Sequence, residues 1–190
     1  MVSIFNTLPS SWENELERII LGRQKDRNRK KAYICSPCSA ATSKGYYQNI
    51  QAAKFYMYYA VKILGHNARA PHAYLPILLN DGLPYEHALA LDFGHYLIQL
   101  SDVILICGSC ITSGMKSEIQ AAAKLRIPMV VYNEELFVAV RKLVTRAGAD
   151  KSLVHLERKL TLLGSSPEEL HSPSVPNMDF EKIAEGKWRA

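Results

Sequence analysis

The stretch that decides the fold is residues 103–119, which read VILICGSCITSGMKSEI. It opens on a continuous apolar run from Val103 to Cys107, which is typical of a strand that is covered on both faces of a sheet. Small residues follow, and the apolar spacing then predicts a helix from Gly114 to Arg126. A buried strand that leads through a turn into a helix is the repeating unit of a parallel α/β sheet.

The same alternation extends outward in both directions along the chain. Short apolar segments predict further strands at 32–35, 68–70 and 129–132. Apolar residues spaced three and four apart predict further helices over 46–64, from Pro84 to about Leu100, around 136–144 and over 153–163. The sequence therefore predicts a doubly wound, flavodoxin- or Rossmann-like parallel sheet of about five strands with helices on both faces.

The chain divides into three parts. Residues 1–30 are predicted to form an N-terminal helix and a basic connector, residues 31–163 an α/β domain of the nucleotide-binding type, and residues 164–190 a flexible C-terminal tail. A capping-box spacing at Ser10 and Glu13 begins the N-terminal helix. Its short apolar stripe, which needs a surface to cover it, consists of Leu16, Ile19 and Ile20.

The formal net charge of +5 comes from one segment. Residues 23–31 hold six basic residues and a single acidic one, so the rest of the chain is neutral. This distribution argues against a nucleic-acid partner and is typical of a solvated connector. Clustered lysine and arginine also attract phosphates, which leaves a second interpretation of the segment open.

Several function classes are excluded by what the sequence lacks. No apolar run approaches the roughly 18 residues that a membrane span needs. The first residues, MVSIFNT, lack the basic start and the long apolar stretch of a secretory signal, so we expect a cytoplasmic protein with no membrane partner. The G-x-G-x-x-G and P-loop signatures are also absent, and we expect no cofactor.

A ligand site is expected at the carboxyl ends of the strands. Ligands of doubly wound sheets bind there, which directs attention to Ser36-Pro37 and Gly108-Ser109. The helix that follows begins with N–H groups that have no partner inside the helix. Thr112, Ser113 and Gly114 can therefore cradle an anion or a ribose hydroxyl.

Glu118 is the carboxylate of this turn. It lies at the edge of the apolar side of its helix, the side that includes Met115, and is therefore expected to point toward the strand ends. A carboxylate in that place can act as a nucleophile or as an electrostatic partner for a sugar cation. Alternatively, it only complements the helix dipole, which contributes about 0.3–1 kcal/mol.

Several segments together resemble the nucleoside 2-deoxyribosyltransferase-like superfamily, and more narrowly an uncharacterised branch of it from bacteria and phages. The resemblance runs from about Lys31 to Asn133, and its most specific element is the turn from Gly114 to Glu118. The segments that carry it are Tyr33-Ile34-Cys35-Ser36-Pro37, Asn49-Ile50, Ala70-Pro71-His72, Ser101-Asp102 and Ser113-Gly114-Met115-Lys116-Ser117-Glu118-Ile119.

The resemblance implies an activity and a set of site residues. Glu118 would attack the anomeric carbon of a deoxynucleoside, with release or exchange of the base, and Tyr33 would help to orient it. The implied partners are a small nucleoside or nucleotide and further copies of the chain, in a dimer or larger assembly. The candidate ligand-binding residues are Ser36, Pro37, His72, Gly108, Ser109, Thr112, Ser113, Gly114 and Met115.

One departure from the superfamily affects the leaving group. The enzymes carry an aspartate that assists the departing base, and the matching position, eight residues before Asp102, is Gly94. The nearest acid, Asp92, is a third catalytic candidate, but it lies roughly 200° around the helix from Gly94. The sequence therefore leaves open a non-catalytic protein that captures a signalling nucleotide. It also leaves open an interaction domain that docks a partner through its N-terminal helix and basic run, with a vestigial crevice.

The cysteines form two C-x-x-C pairs, Cys35 with Cys38 and Cys107 with Cys110. Such pairs are typical of zinc sites, but the gap between them is far longer than the roughly 15–20 residues of a compact zinc module. Because Cys35 and Cys107 end apolar strands, we expect ordinary reduced thiols and no metal, with zinc or a redox disulfide as the alternatives.

Overall fold

The computed structural model describes residues 28–80 and 82–166. The predicted N-terminal helix and most of the basic connector lie outside the described residues, as does nearly all of the predicted C-terminal tail.

The described chain forms a five-stranded, all-parallel sheet with the strand order β2-β1-β3-β4-β5. Its strands are β1 (Lys31–Cys35), β2 (Asn67–Arg69), β3 (Val103–Ile106), β4 (Met129–Val131) and β5 (Val154–Leu156). This order is that of a flavodoxin-like, doubly wound fold, so the predicted fold class is confirmed. The winding direction reverses between β1 and β3, where Tyr33 lies in register with Ile104.

Five α-helices connect or follow the strands within the described part of the chain. They are α1 (Ser43–Lys62), α2 (Leu75–Leu78), α3 (Pro84–Gln99), α4 (Ser113–Lys124) and α5 (Glu134–Arg146). Side chains cap three of the helices at their start: Thr42 accepts from Gly45 N, Thr112 from Met115 N, and Asn133 from Glu135 N. None of the described helices is long and apolar enough to cross a membrane.

The helix predicted over 153–163 is wrong. Residues 154–156 form β5 and pair in parallel with β4, and a 3₁₀ turn follows at Thr161–Gly164. The leucines at 153, 156, 160 and 163 imitate helical spacing, but Val154 is buried while His155 is exposed, which is the alternation of a strand. Gly164 allows this end of the chain to press against β4, because a Cβ there would meet Tyr132 O at 2.7 Å.

Alternation along β1 builds a core on each face of the sheet. Tyr33 and Cys35 face the side that α3, α4 and α5 cover. Ala32 and Ile34 face the side that α1 covers, together with Leu163 from the last described turn. The fold therefore places Tyr33 directly beneath α4, the helix that carries Glu118.

Candidate active site

A cavity of about 530 Å³ lies at the carboxyl end of β1, beneath the first turn of α4. Its walls come from five places: β1 with the residues that follow it up to Ser39, Tyr46 at the start of α1, the segment 71–79, the inner face of α3 and the start of α4. The volume is within the range of small-molecule sites, and the place is where doubly wound sheets bind ligands.

Glu118 and Tyr33 form the central pair of this cavity. The Tyr33 hydroxyl donates a hydrogen bond of 2.6 Å to Glu118 Oε1, and the Cys35 thiol donates a second one to the same carboxylate. Tyr33 is fully buried, so its hydroxyl is fixed by the packing of β1 against α4. The carboxylate thus points at the strand, as the position of Glu118 on its helix predicts.

Burial controls the protonation of this pair. It raises the pKa of Glu118, while the hydrogen bonds from Tyr33 and Cys35 oppose that rise. Burial first and the Glu118 charge second hold the pKa values of Tyr33 and Cys35 well above their usual ranges. Both groups therefore remain proton donors to the carboxylate at neutral pH.

The basic side chains of the described cavity wall are three histidines, His72, His87 and His95. Among the described residues that line the cavity, none is a lysine or an arginine. The carboxylate is instead held by two neutral donors, which leaves it able to attract positive charge that develops on a bound molecule. This arrangement suits a nucleophile or a stabiliser of a sugar cation.

α3 lies against the central pair at Gly94. A Cβ placed on Gly94 would be 3.4 Å from the Tyr33 hydroxyl, which is van der Waals contact, so this position of α3 borders the pair directly. The position at which the resemblance expects an aspartate therefore does face the cavity, but it carries no side chain. Asp92 is exposed and is not among the cavity-lining residues.

His72 and Ser36 form a second polar pair in the cavity. Ser36 Oγ and His72 Nε2 share a hydrogen bond of 2.8 Å. His72 is held by the 3₁₀ turn Pro71–Ala73, and burial lowers its pKa to about 4. The imidazole is therefore neutral at physiological pH.

The depressed pKa of His72 predicts a loss of stability in mild acid. The unfolded chain binds this proton below a pKa of 6.5, whereas the folded chain binds it only near 4, so stability falls as the pH drops from 6.5 to 4. We expect wild type to lose about 3 kcal/mol more than His72→Gln over this range, because glutamine does not titrate. Urea unfolding of both proteins at pH 7, 5.5 and 4 measures the difference. Equal losses would contradict a His72 that stays neutral in the folded chain.

Most predicted ligand-binding residues are brought together in the cavity, and three are not. Ser36, His72, Thr112, Ser113, Gly114 and Met115 all line it. Gly108 has φ +90° and donates its N–H to Leu163 O at 2.8 Å, which turns this segment toward the α1 face of the sheet. Pro37 packs beside Gly108, and neither of these residues nor Ser109 lines the cavity.

The sequence does not predict the cavity wall that α3 provides. His87, Ala90, Leu91 and His95 line the cavity with Gly94. Their spacing of three, four and eight residues marks one face of a helix, and the shared face of His87 and His95 is visible in the sequence. What the sequence does not show is that this face packs beside β1.

The two C-x-x-C pairs have inner and outer members. Cys35 and Cys107 are buried at neighbouring strand ends, Cys38 is half-buried and Cys110 is exposed, and no disulfide joins them. In the part of the chain that the structure describes, no group of three or more His, Cys, Asp or Glu side chains is arranged to hold a metal ion.

This burial predicts which thiols react. In the native protein we expect iodoacetamide to label Cys110 first and Cys38 second. Cys35 and Cys107 should react only after denaturation, since burial keeps the thiols protonated and excludes the reagent. Peptide mass spectrometry after timed labelling gives the order; fast labelling of Cys35 in the folded protein would contradict the described packing.

Comparison with known proteins identifies a family. A family model described as "Domain of unknown function (DUF7768)" matches residues 30–132, which extend from the start of β1 to just beyond β4. The match includes Tyr33, Ser36, His72, Gly94 and Glu118. No curated protein matches the chain. Since the family model covers more than half of the 190 residues, the chain belongs to this family of domains of unknown function.

Proposed function

We propose that the protein binds a nucleoside or nucleotide and cleaves or transfers its N-glycosidic bond, with Glu118 as the nucleophile. The observation that carries the proposal is the Glu118 carboxylate, oriented at 2.6 Å by Tyr33 in a cavity at the switch point of the sheet. The resemblance to the nucleoside 2-deoxyribosyltransferase-like superfamily supports the same assignment.

The reaction would proceed through a sugar–enzyme ester. One Glu118 oxygen attacks C1′ as the bond from C1′ to the base nitrogen breaks, and the base leaves with that electron pair and takes up a proton. Positive charge develops on the sugar in the transition state, where the ionised carboxylate stabilises it. Water then attacks C1′ of the ester to complete hydrolysis, or a second base attacks to complete transfer.

The cavity offers a polar surface to the sugar or phosphate of the ligand and an apolar surface to its base. The first turn of α4, with Ser113 and Gly114, would receive a sugar hydroxyl or a 5′-phosphate at its free N–H groups. Leu75, Leu79 and Leu91 would receive the flat face of the base. Histidines on α3, His87 and His95, are the candidate proton donors to the leaving base in place of the missing aspartate.

A second candidate function is capture of a nucleotide without turnover. Gly94 favours it, because the cavity position next to Tyr33 offers no carboxyl group to the leaving base. Either function would operate in the cytoplasm on a small molecule. The resemblance also implies a homo-oligomer, whose mass analytical ultracentrifugation measures.

Chromatography of reaction mixtures separates these functions. Wild type, Glu118→Gln and a control, Glu135→Gln on the exposed start of α5, are incubated with nucleosides, deoxynucleoside monophosphates, and cyclic and ADP-ribose-type nucleotides. We expect wild type and the control to release free base from at least one compound, and Glu118→Gln to release none. Intact ligand retained by all three proteins would establish the capture function. If the proteins neither release base nor retain ligand, both proposals are overturned.

A further inference from the structure

The outward face of α3 is apolar. Large side chains spaced three or four residues apart are each between 38% and 79% exposed. At about 100° per residue they fall on one side of the helix, opposite Gly94 and His87, which face the cavity. We call this set the outer stripe: Tyr85, Leu89, Phe93, Tyr96 and Leu100.

The outer stripe needs a cover. A surface helix normally turns its apolar face toward the core and its polar face toward water. α3 already buries Leu97 and Ile98 against the sheet and also presents the outer stripe to solvent. A contiguous exposed apolar surface of this kind marks a contact site.

The chain enters the sheet beside one end of the outer stripe. Lys31 N donates to Asp102 Oδ2 at 2.7 Å, and Asp102 N donates to Lys31 O at 2.8 Å. Asp102 follows Leu100 by two residues. The residues that precede β1 therefore begin their path next to the C-terminal end of α3.

The segment upstream has the pattern and the length to cover the outer stripe. Residues 10–22 are predicted to be helical and would measure about 20 Å, close to the roughly 22 Å between Tyr85 and Leu100 along α3. Polar residues 23–30 connect this segment to β1 and can span up to about 26 Å when extended. Four of the five large apolar residues of the segment share one helical face, namely Trp12, Leu16, Ile19 and Ile20, whereas Leu21 lies on the opposite face.

We propose that residues 10–22 form a helix that docks on the outer stripe of the same chain. The four apolar residues that share a face of this helix pack on the five of the outer stripe, which removes both surfaces from water. Because the opposite face of α3 lines the cavity, the docked helix braces that wall from outside. The proposal does not depend on the reaction proposed above.

Tryptophan fluorescence tests the docking in the full chain. The two tryptophans are Trp12 and Trp188, so Trp188→Phe leaves Trp12 as the sole reporter. In that background we compare a stripe variant, Leu89→Gln with Tyr96→Gln, and a segment variant, Leu16→Gln with Ile20→Gln. A matched control replaces two exposed apolar residues elsewhere, Leu125 and Val138, with glutamine.

Docking predicts short-wavelength Trp12 emission and weak acrylamide quenching in the parent and in the control. Both the stripe and the segment variants should shift the emission to long wavelength and raise the quenching. The substitutions of the segment variant lie outside the described domain, so its result does not depend on the stability of α3. Solvent-like emission in the parent, or emission that neither variant changes, would overturn the proposal. Emission that shifts on dilution, or a mass that falls in the stripe variant, would assign the stripe to a second copy instead.

Discussion

Replacing Glu118 with glutamine is expected to reduce base release by about 10³-fold or more while nucleotide binding is retained. Glutamine has the shape of glutamate and still offers an oxygen to the Tyr33 and Cys35 donors, but its amide does not form the ester with C1′. Single-turnover rates measured with the compound that wild type cleaves give the size of the loss. Residual activity near that of wild type would remove Glu118 from the role of nucleophile.

The same substitution should stabilise the fold at neutral pH. Because burial raises the pKa of Glu118, the folded chain binds this proton more tightly than the unfolded chain. The stability that this group contributes is present below its unfolded pKa and is lost as the pH rises through the raised, folded pKa. Glu118→Gln avoids that loss, so it should have the higher urea midpoint at pH 7 and little advantage at pH 4. A lower urea midpoint for Glu118→Gln than for wild type at pH 7 would mean that the ionised carboxylate stabilises the fold.

Much of the fold follows from local pattern. The continuous apolar runs of β1 and β3 can be recognised because both faces of these strands are covered, so every position except Lys31, the first of β1, is apolar. β5 lies at the edge of the sheet, pairs with one neighbour only and has just three residues. Its leucine spacing competes with the strand pattern, and only the pairing with β4 decides between the two.

The candidate site, like the fold, can be predicted from local pattern only in part. The first turn of α4 and the orientation of Glu118 depend on residues close together in the chain, so helical spacing is sufficient to predict them. The path of Gly108 depends on a hydrogen bond to Leu163, far along the chain, and no local pattern gives that contact. For the same reason the sequence does not predict that α3 forms a wall of the cavity. That wall requires β2 to pair with the outer side of β1, so that the following chain, with α3, returns across the end of β1.

Gly94 connects the fold to the chemistry. A Cβ at this position would be in van der Waals contact with the Tyr33 hydroxyl, so α3 lies close to the pair at the place where the expected carboxyl group is missing. In the proposed reaction Glu118 attacks the sugar, and protonation of the base depends on His87 or His95 instead of a carboxyl group at position 94. Substrates with bases that leave without much protonation are therefore the first compounds to try.

Replacing Tyr33 with phenylalanine is expected to lower the rate of base release by about 10²-fold at neutral pH, as loss of orientation does for a reacting group. It should also move the acid limb of the pH–rate profile to higher pH. The Tyr33 hydroxyl favours the ionised form of Glu118, so its removal lets burial raise the pKa of the carboxylate further. Initial rates between pH 4 and 9 measure both effects.

Tyr56→Phe is the matched control for this prediction. Tyr56 is equally buried and donates a 2.7 Å hydrogen bond, but to Ser165 O on the opposite face of the sheet. A purely structural effect of losing a buried hydroxyl would lower stability in both variants and leave both pH profiles in place. A shifted acid limb in Tyr33→Phe alone would establish Tyr33 as the positioning residue of Glu118. Identical profiles would show that the 2.6 Å contact does not control the carboxylate, and the nucleophile would then have to be activated from the α3 side of the cavity.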